Sequence, residues 1–471
     1  LCGLSVVGIP FMTVMGLAAA ATVGMAVLIA LTLLPALLGF AGTKVISTRI
    51  PFVRRRPDFD SEDDANPINM GTRWAQFVTK RKAPVFIGAI VTLGVIAIPF
   101  TGMRTSLPDD GTAAKDTSQR QAYDLLTEAF GPGFNGPLLV ALTNQAAADF
   151  ASAADGITAQ LKGLADVATV TAPVLNRAGD AATLTVVPAS GPTSPRTQAL
   201  VRAIRGLESA DLSADRLRLY VTGSTAMQID VTDKLNAALP TYLVVVVGLA
   251  LVLLALVFRS IMVPIKAAAG FLLTIGATFG ALVAIFQWGW AAGAFGVSSA
   301  SPIVSFLPII IIAILFGLAM DYEVFLVSRM REEFVHGAGP TDAVVGGFRH
   351  GARVVTAAAI IMISVFSGFM LGNNAIIKSV GFSLAFGVAV DAFVVRMTIV
   401  PAFLAIVGRS AWWLPRGLDR VMPNVDVEGA KLLNRLGADG ADEAARPDPA
   451  GGATDPEGPD DEAQPQELSR V

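Results

Sequence analysis

The sequence predicts a polytopic α-helical membrane protein with an extracytoplasmic α+β domain inserted between two of its helices. Three observations predict it. Seven segments are apolar over the roughly 20 residues that a helix needs to span the hydrocarbon. Lys and Arg concentrate in alternate connections between them. One long connection, residues 104–237, is polar and reads as alternating short strands and helices.

The composition agrees. Of 471 residues, 53% are hydrophobic and only 15% charged, with a mean hydropathy of +0.60. Soluble domains carry about 25% charged residues, so the bilayer is the expected surrounding. The charge is uneven: residues 439–471 hold ten acidic and two basic residues, while the whole chain sums to −3. The acidic pI therefore belongs to the tail. One cysteine, Cys2, and two histidines, His336 and His350, exclude an internal disulfide and a Cys/His zinc cluster. No G-x-x-x-x-G-K-S/T loop, G-x-S-x-G elbow or H-E-x-x-H helix occurs. No enzymatic activity, cofactor, metal or nucleic-acid partner is expected.

In chain order, Leu1–Ile9 reads as the end of a helix that starts before Leu1, and the first full span covers about 13–40, within a unit 1–42. A basic linker, 43–84, follows with nine Lys and Arg residues, and then a span at 85–103. Segments 238–257, 262–287, 303–328, 354–372 and 379–408 complete the set within 238–408. The 258–266 turn adds Arg259 and Lys266, and the 329–353 loop adds Arg329, Arg331, Arg349 and Arg353, whereas 288–302 has no basic residue. The bias places the linker and the 409–471 tail in the cytoplasm and 104–237 outside it. The tail, acidic and rich in Ala, Gly and Pro beyond about 437, is expected to be disordered. Both histidines fall in the 329–353 loop and read as solvated.

Within 104–237, 121–130 and 195–208 read as amphipathic helices, and 144–164 as a helix between strands. The strands are 137–143, 182–189 and 216–223. This alternation suggests a split βαβ arrangement. A shift of 366 residues also overlays 15–42 on 381–408, pairing Thr32 with Thr398, Pro35 with Pro401 and Leu38 with Leu404. It reads either as an internal repeat, with sites at the interface between halves, or as a coincidence of alanine-rich composition.

Asp321 is the principal candidate residue. It lies eight residues before Arg329, about 12 Å along a helix, which puts it near the bilayer midplane. A carboxylate there costs at least ~2.5–3.5 kcal/mol, so it must face protein or water; it is either a proton relay or polar glue between helices. Tyr322 offers a phenol that donates and accepts, in a direction about 100° away. Gly317 and Ala319 are small enough to let a neighbouring helix approach. Glu323 reads as interfacial or ion-paired. Asp391 and Arg396 are a second charged pair in one span, either a structural ion pair or a secondary relay. The five-residue spacing puts them about 140° apart on an α-helix, which argues against mutual contact. The repeat puts Met25 and Ala30 opposite them, so these charges belong to one copy.

The stretch GLAMDYEVFLVSRMREEF (317–334) resembles the signature of the MMPL family, the large mycobacterial-type membrane proteins of the resistance-nodulation-division (RND) superfamily. So do AYDLLTEAFGPGFNGPLLV (122–140), VTGSTAMQIDVTDKL (221–235) and VGFSLAFGVAVDAFVVRMTIVPA (380–402). The resemblance covers nearly all of the chain except the tail. It implies two repeats of six helices, each with a porter domain inserted after its first helix, and proton-driven export of lipids or other hydrophobic compounds across the bacterial inner membrane. By it, this chain is the second repeat, with 104–237 its porter domain and 85–103 helix seven. Helices eight to twelve follow, and 13–40 is helix six of the first repeat. Asp321 and Tyr322 match the second Asp-Tyr pair of the relay, with Gly317, Ala319 and Phe325 packing near it. The first pair is then expected on a separate N-terminal half-transporter. A non-transporting scaffold for envelope assembly, and an inactive remnant, are the other readings.

Overall fold

The computed structural model describes residues 2–42, 70–144, 150–210, 217–297, 300–335 and 337–415. Most of the basic linker, His336 and the acidic tail lie outside the described residues, as do the side chains of Tyr322 and His350.

Among the described residues, seven helices are long and apolar enough to cross a membrane. After a short 3-10 turn at Cys2–Val7, broken by Gly8 at φ +70°, α1 runs over Pro10–Ala41. Proline at its first turn costs no hydrogen bond, because that N–H has no partner within the helix. An amphipathic helix, α2 (Met70–Lys80), turns Thr72, Ala75 and Val78 inward and leads into the span α3 (Lys82–Ala97). α7 (Ser224–Phe258) and α8 (Met262–Leu282, continuing as a wide π turn to Gln287) follow the insert. The remaining spans are α9 (Leu307–Val335), α10 (Pro340–Gly368) and a composite last helix. That last helix consists of α11 (Ala375–Ala389), a π-helical stretch Val390–Ile399 and α12 (Val400–Val407).

Several boundaries differ from the sequence expectation. The loop expected at 329–353 is only a short connection around Gly337, because α9 and α10 extend as helices through the arginines. Arg329 pairs with Glu332 one turn on, which supports that extension. Lys266 is not in a turn: the chain reverses at Arg259 in a left-handed conformation, and Lys266 lies buried in α8. Ile303–Val304 are extended rather than helical, so α9 starts later than hydropathy suggests. α7 crosses the expected 237/238 boundary without a break.

Between α3 and α7 the chain builds a sheet with the order β3-β5-β2-β6. Its strands are β2 (Leu138–Asn144), β3 (Val167–Val170), β5 (Ala181–Pro188) and β6 (Leu217–Thr222), with β4 (Val174–Leu175) also pairing with β5. β5 and β6 both run antiparallel to β2, so each successive strand–helix–strand unit skips one place in the sheet. Leu138, Val140 and Leu142 alternate onto the buried face. There they meet Phe150, Ala154, Ile157 and Leu161 of α5 (Phe150–Lys162) and Leu200, Val201 and Ile204 of α6 (Pro195–Ala210). The other sequence-expected helix is α4 (Ser118–Phe130), capped by the Thr117 hydroxyl.

The sheet region is tied to the spans at several points besides the continuous α7. β1 (Thr105–Ser106) pairs in parallel with β7 (Ile303–Val304), immediately before α9. The Thr232 and Ser305 hydroxyls bond at 2.8 Å in a buried position. The Gln287 side chain accepts from the Arg104 N–H and donates to the Gly102 carbonyl, both at 2.8 Å.

Candidate functional site

α9 has two faces of opposite character. Gly317, Asp321 and Phe325 fall at i, i+4 and i+8, which aligns them on one stripe, and all three are exposed. A Cβ built at Gly317 meets nothing within 4 Å. No described residue hydrogen-bonds or ion-pairs with Asp321. Ala319 and Glu323 lie on the opposite face and are buried. The small residues expected to pack together beside Asp321 are therefore on different sides of the helix.

The buried face of α9 meets a charge cluster drawn from three spans. The Glu323 carboxylate, 2% exposed, takes Lys266 Nζ of α8 at 2.7 Å on Oε1 and Arg396 Nη1 at 2.6 Å on Oε2. Arg396 Nε donates to Asp391 Oδ2 at 2.6 Å, and its Nη2 donates to the Ala319 carbonyl. Two cations and two anions balance within the cluster, as buried charges must. Asp391 Oδ1, Glu323 Oε1 and Lys266 Nζ make no hydrogen bond among the described residues, the last two meeting as an ion pair.

The contact between Asp391 and Arg396 overturns the expectation drawn from α-helical geometry. Residues 390–399 are π-helical. A π turn closes on the fifth residue rather than the fourth, so i and i+5 stack on one face. The Thr398 hydroxyl donates to the Phe393 carbonyl, also five residues back. Pro401 supplies a local reason: its ring crowds the carbonyl four residues upstream and it has no N–H to close that turn.

Lys266 escapes the sequence reading, which places it in the 258–266 turn. Its signal was available: a lysine four residues past Met262, inside an apolar run, has no loop to occupy. The sequence reading also leaves the partners of Glu323 unnamed, because a contact between separate helices leaves no spacing code.

A second group lies at the start of the insert. Burial raises the Asp109 carboxyl above its usual value, and burial with the neighbouring Asp109 pushes the Tyr123 phenol up to about 12. Arg120 pairs with Asp124 and donates to the Gly111 carbonyl at 2.5 Å. A Cβ at Gly111 would come within 2.8 Å of the Tyr123 ring. Nearby, a shallow cleft is lined by Ser106, Thr112, Phe286, Val304, Ile376 and Ser379.

The profile of the MMPL family matches residues 1–85 and 112–424. The membrane protein YdfJ of Bacillus subtilis is 46% identical over 437 residues, covering 93% of this chain and 58% of its own length. The mycolic acid-containing lipids exporter MmpL11 of Mycolicibacterium smegmatis is 32% identical, covering 90% of this chain and 44% of its own length. The trehalose monomycolate exporter MmpL3 of the same organism is 31% identical over 252 residues, which is 52% of this chain and 25% of that protein. The chain thus spans about half the length of the curated relatives it matches along most of its length.

Proposed function

Since the chain belongs to the MMPL family and is a multi-pass helical membrane protein, we propose that it works as the C-terminal half of a proton-driven exporter of lipids or other hydrophobic compounds. The observation that carries this reading is the open stripe Gly317–Asp321–Phe325. An intramembrane carboxylate on a face with no described partner needs a second surface against it, because lipid gives it nothing to bond. A helix from an N-terminal half, carrying its own Asp-Tyr pair, would supply that surface and meet Gly317 at close range. Asp321 takes and releases the proton, and Tyr322 bridges to the partner pair.

The charge cluster gives this site a second side. Arg396 holds the Ala319 carbonyl, two residues from Asp321, while its own charge is balanced by Glu323 and Asp391. Protonation of Asp321 therefore changes the charge on one face of α9 while the other stays neutral, and that difference biases the position of the helix. The link from β7 into α9, and the continuity of α7, carry the movement into 104–237, which acts as the porter domain outside the cytoplasm. The cleft beside Ser106 and Ser379 lies at that junction. The names of MmpL11 and MmpL3 support a lipidic cargo.

The test is proton flux into proteoliposomes that hold the chain with a complementary N-terminal half, read by an internal pH dye. Asp321→Asn is expected to stop the flux while assembly persists. Flux at the unsubstituted rate in that variant rejects the reading.

A further inference from the structure

The last span is α-helical except at Val390–Ile399, where the wide turn brings Arg396 onto Asp391. The proline that disturbs this region does not suffice to explain it. α1 carries Pro35 at the position 366 residues upstream of Pro401 and remains α-helical over Pro10–Ala41. Two things separate the copies. Met25 and Ala30 stand in α1 where Asp391 and Arg396 stand in the last span. And the last span receives a hydrogen bond from outside itself.

That bond comes from α2. The Trp74 indole N–H donates to the Met397 carbonyl at 2.8 Å, across 323 residues of sequence. Met397 is four residues before Pro401, so its carbonyl is the one that an α-helical turn would close with the N–H that proline lacks. A backbone carbonyl without a donor is costly within a bilayer. The same linker makes a second bond to this span: Lys82 Nζ donates to the Ala405 carbonyl at 2.8 Å, near the helix end. Thr72, Ala75 and Val78 hold α2 in place by burying its inner face.

We infer that Trp74 is a positioning residue: its indole N–H takes the Met397 carbonyl and keeps residues 390–399 in the wide register in which Arg396 reaches Asp391 and Glu323. In an α-helical register those two residues would stand about 140° apart. The contact to Asp391 would then open, and the guanidinium would lose its hold on Ala319 and Glu323. A cytoplasmic-side amphipathic helix thus sets the geometry of a charge cluster buried among the spans. This inference stands independently of the proton reading for Asp321.

The experiment uses the full chain in lipid nanodiscs with 15N-arginine, following hydrogen exchange of the Arg396 Nε–H, assigned through its loss in Arg396→Lys. Trp74→Phe keeps a ring and removes the donor. It is expected to speed exchange of the Arg396 Nε–H by about tenfold, the size that loss of one hydrogen bond allows. Phe77→Leu alters the ring that neighbours Trp74 on α2 and is expected to leave the exchange unchanged. Unchanged exchange in Trp74→Phe overturns the inference, and so does equal acceleration in both variants, which would mean that only α2 docking matters. If Trp74→Phe does not fold, the reciprocal measurement decides, because coupling acts in both directions. In Asp391→Asn the Trp74 indole N–H is expected to exchange faster; an unaltered indole overturns the inference.

Discussion

Arg396 Nε donates to Asp391 Oδ2 at 2.6 Å, although five residues separate the two on one helix. The π-helical turn makes the pair, and Glu323 and Lys266 extend it to three spans. A buried network of this kind is costly to break from one side, because the remaining charge has no water to turn to.

Removing one member is therefore expected to be severe. Lys266→Met leaves Glu323 with half of its compensation and should cost about 3–5 kcal/mol of stability. The double variant Lys266→Met with Glu323→Gln should recover part of that loss. Thermal unfolding of the purified chain and the two variants measures it; strictly additive losses would show that the pair does not interact.

Helix contact at Gly280 is expected to tolerate no side chain. A Cβ there would stand 2.0 Å from the Ile96 carbonyl oxygen and 2.8 Å from the Ala97 Cα, both on α3. Gly280→Ala must separate α3 from α8, at a cost of about 1–3 kcal/mol or more. A lowered melting temperature checks this, and unchanged melting would mean that the two backbones are not in contact.

Gly317→Leu should do the reverse. Its Cβ position is open, so the chain alone is expected to gain roughly 0.5–1 kcal/mol from losing a helical glycine. Assembly with an N-terminal half is expected to fail, because the added side chain fills the space that a close helix would use. Co-purification with that half reports the second effect, and melting of the isolated chain reports the first.

The Asp109 carboxyl yields a pH dependence of known sign. Burial raises its folded value above the ordinary 3.8, so the folded state binds that proton more tightly than the unfolded state does. Its contribution to stability is present below about 3.8 and is lost as the pH rises through the higher folded value. Asp109→Asn should abolish this dependence and melt higher than the unsubstituted chain near neutral pH, with the difference closing in acid. Melting curves from pH 3 to 7, on the scale of ordinary carboxyl titration, settle it.

The spans were legible because lipid imposes one rule, roughly 20 apolar residues per helix, and each of the seven segments obeys it. Leu138, Val140 and Leu142 were legible for a similar reason, since alternation marks a half-buried strand. The short strands Thr105–Ser106 and Ile303–Val304 were not, because two residues paired across almost two hundred carry no periodicity. At the site, Asp321 announced itself by its cost in a membrane. Lys266 was hidden by its nearness to a turn, and the Asp391–Arg396 contact by a helix whose register departs from 3.6 residues per turn. Local pattern gives the register of a regular helix, whereas this one is set by Pro401 within it and by a donor from Trp74 far away in sequence.

In the proposed function, Asp321 gains and loses a proton within the membrane. Difference infrared spectra of the lipid-reconstituted chain, taken across a pH series with a complementary N-terminal half added, observe the carboxyl stretch directly. A protonated carboxyl band that titrates reversibly and is absent in Asp321→Asn is expected. A spectrum without such a band, or one in which it persists unchanged in Asp321→Asn, would contradict that role for Asp321.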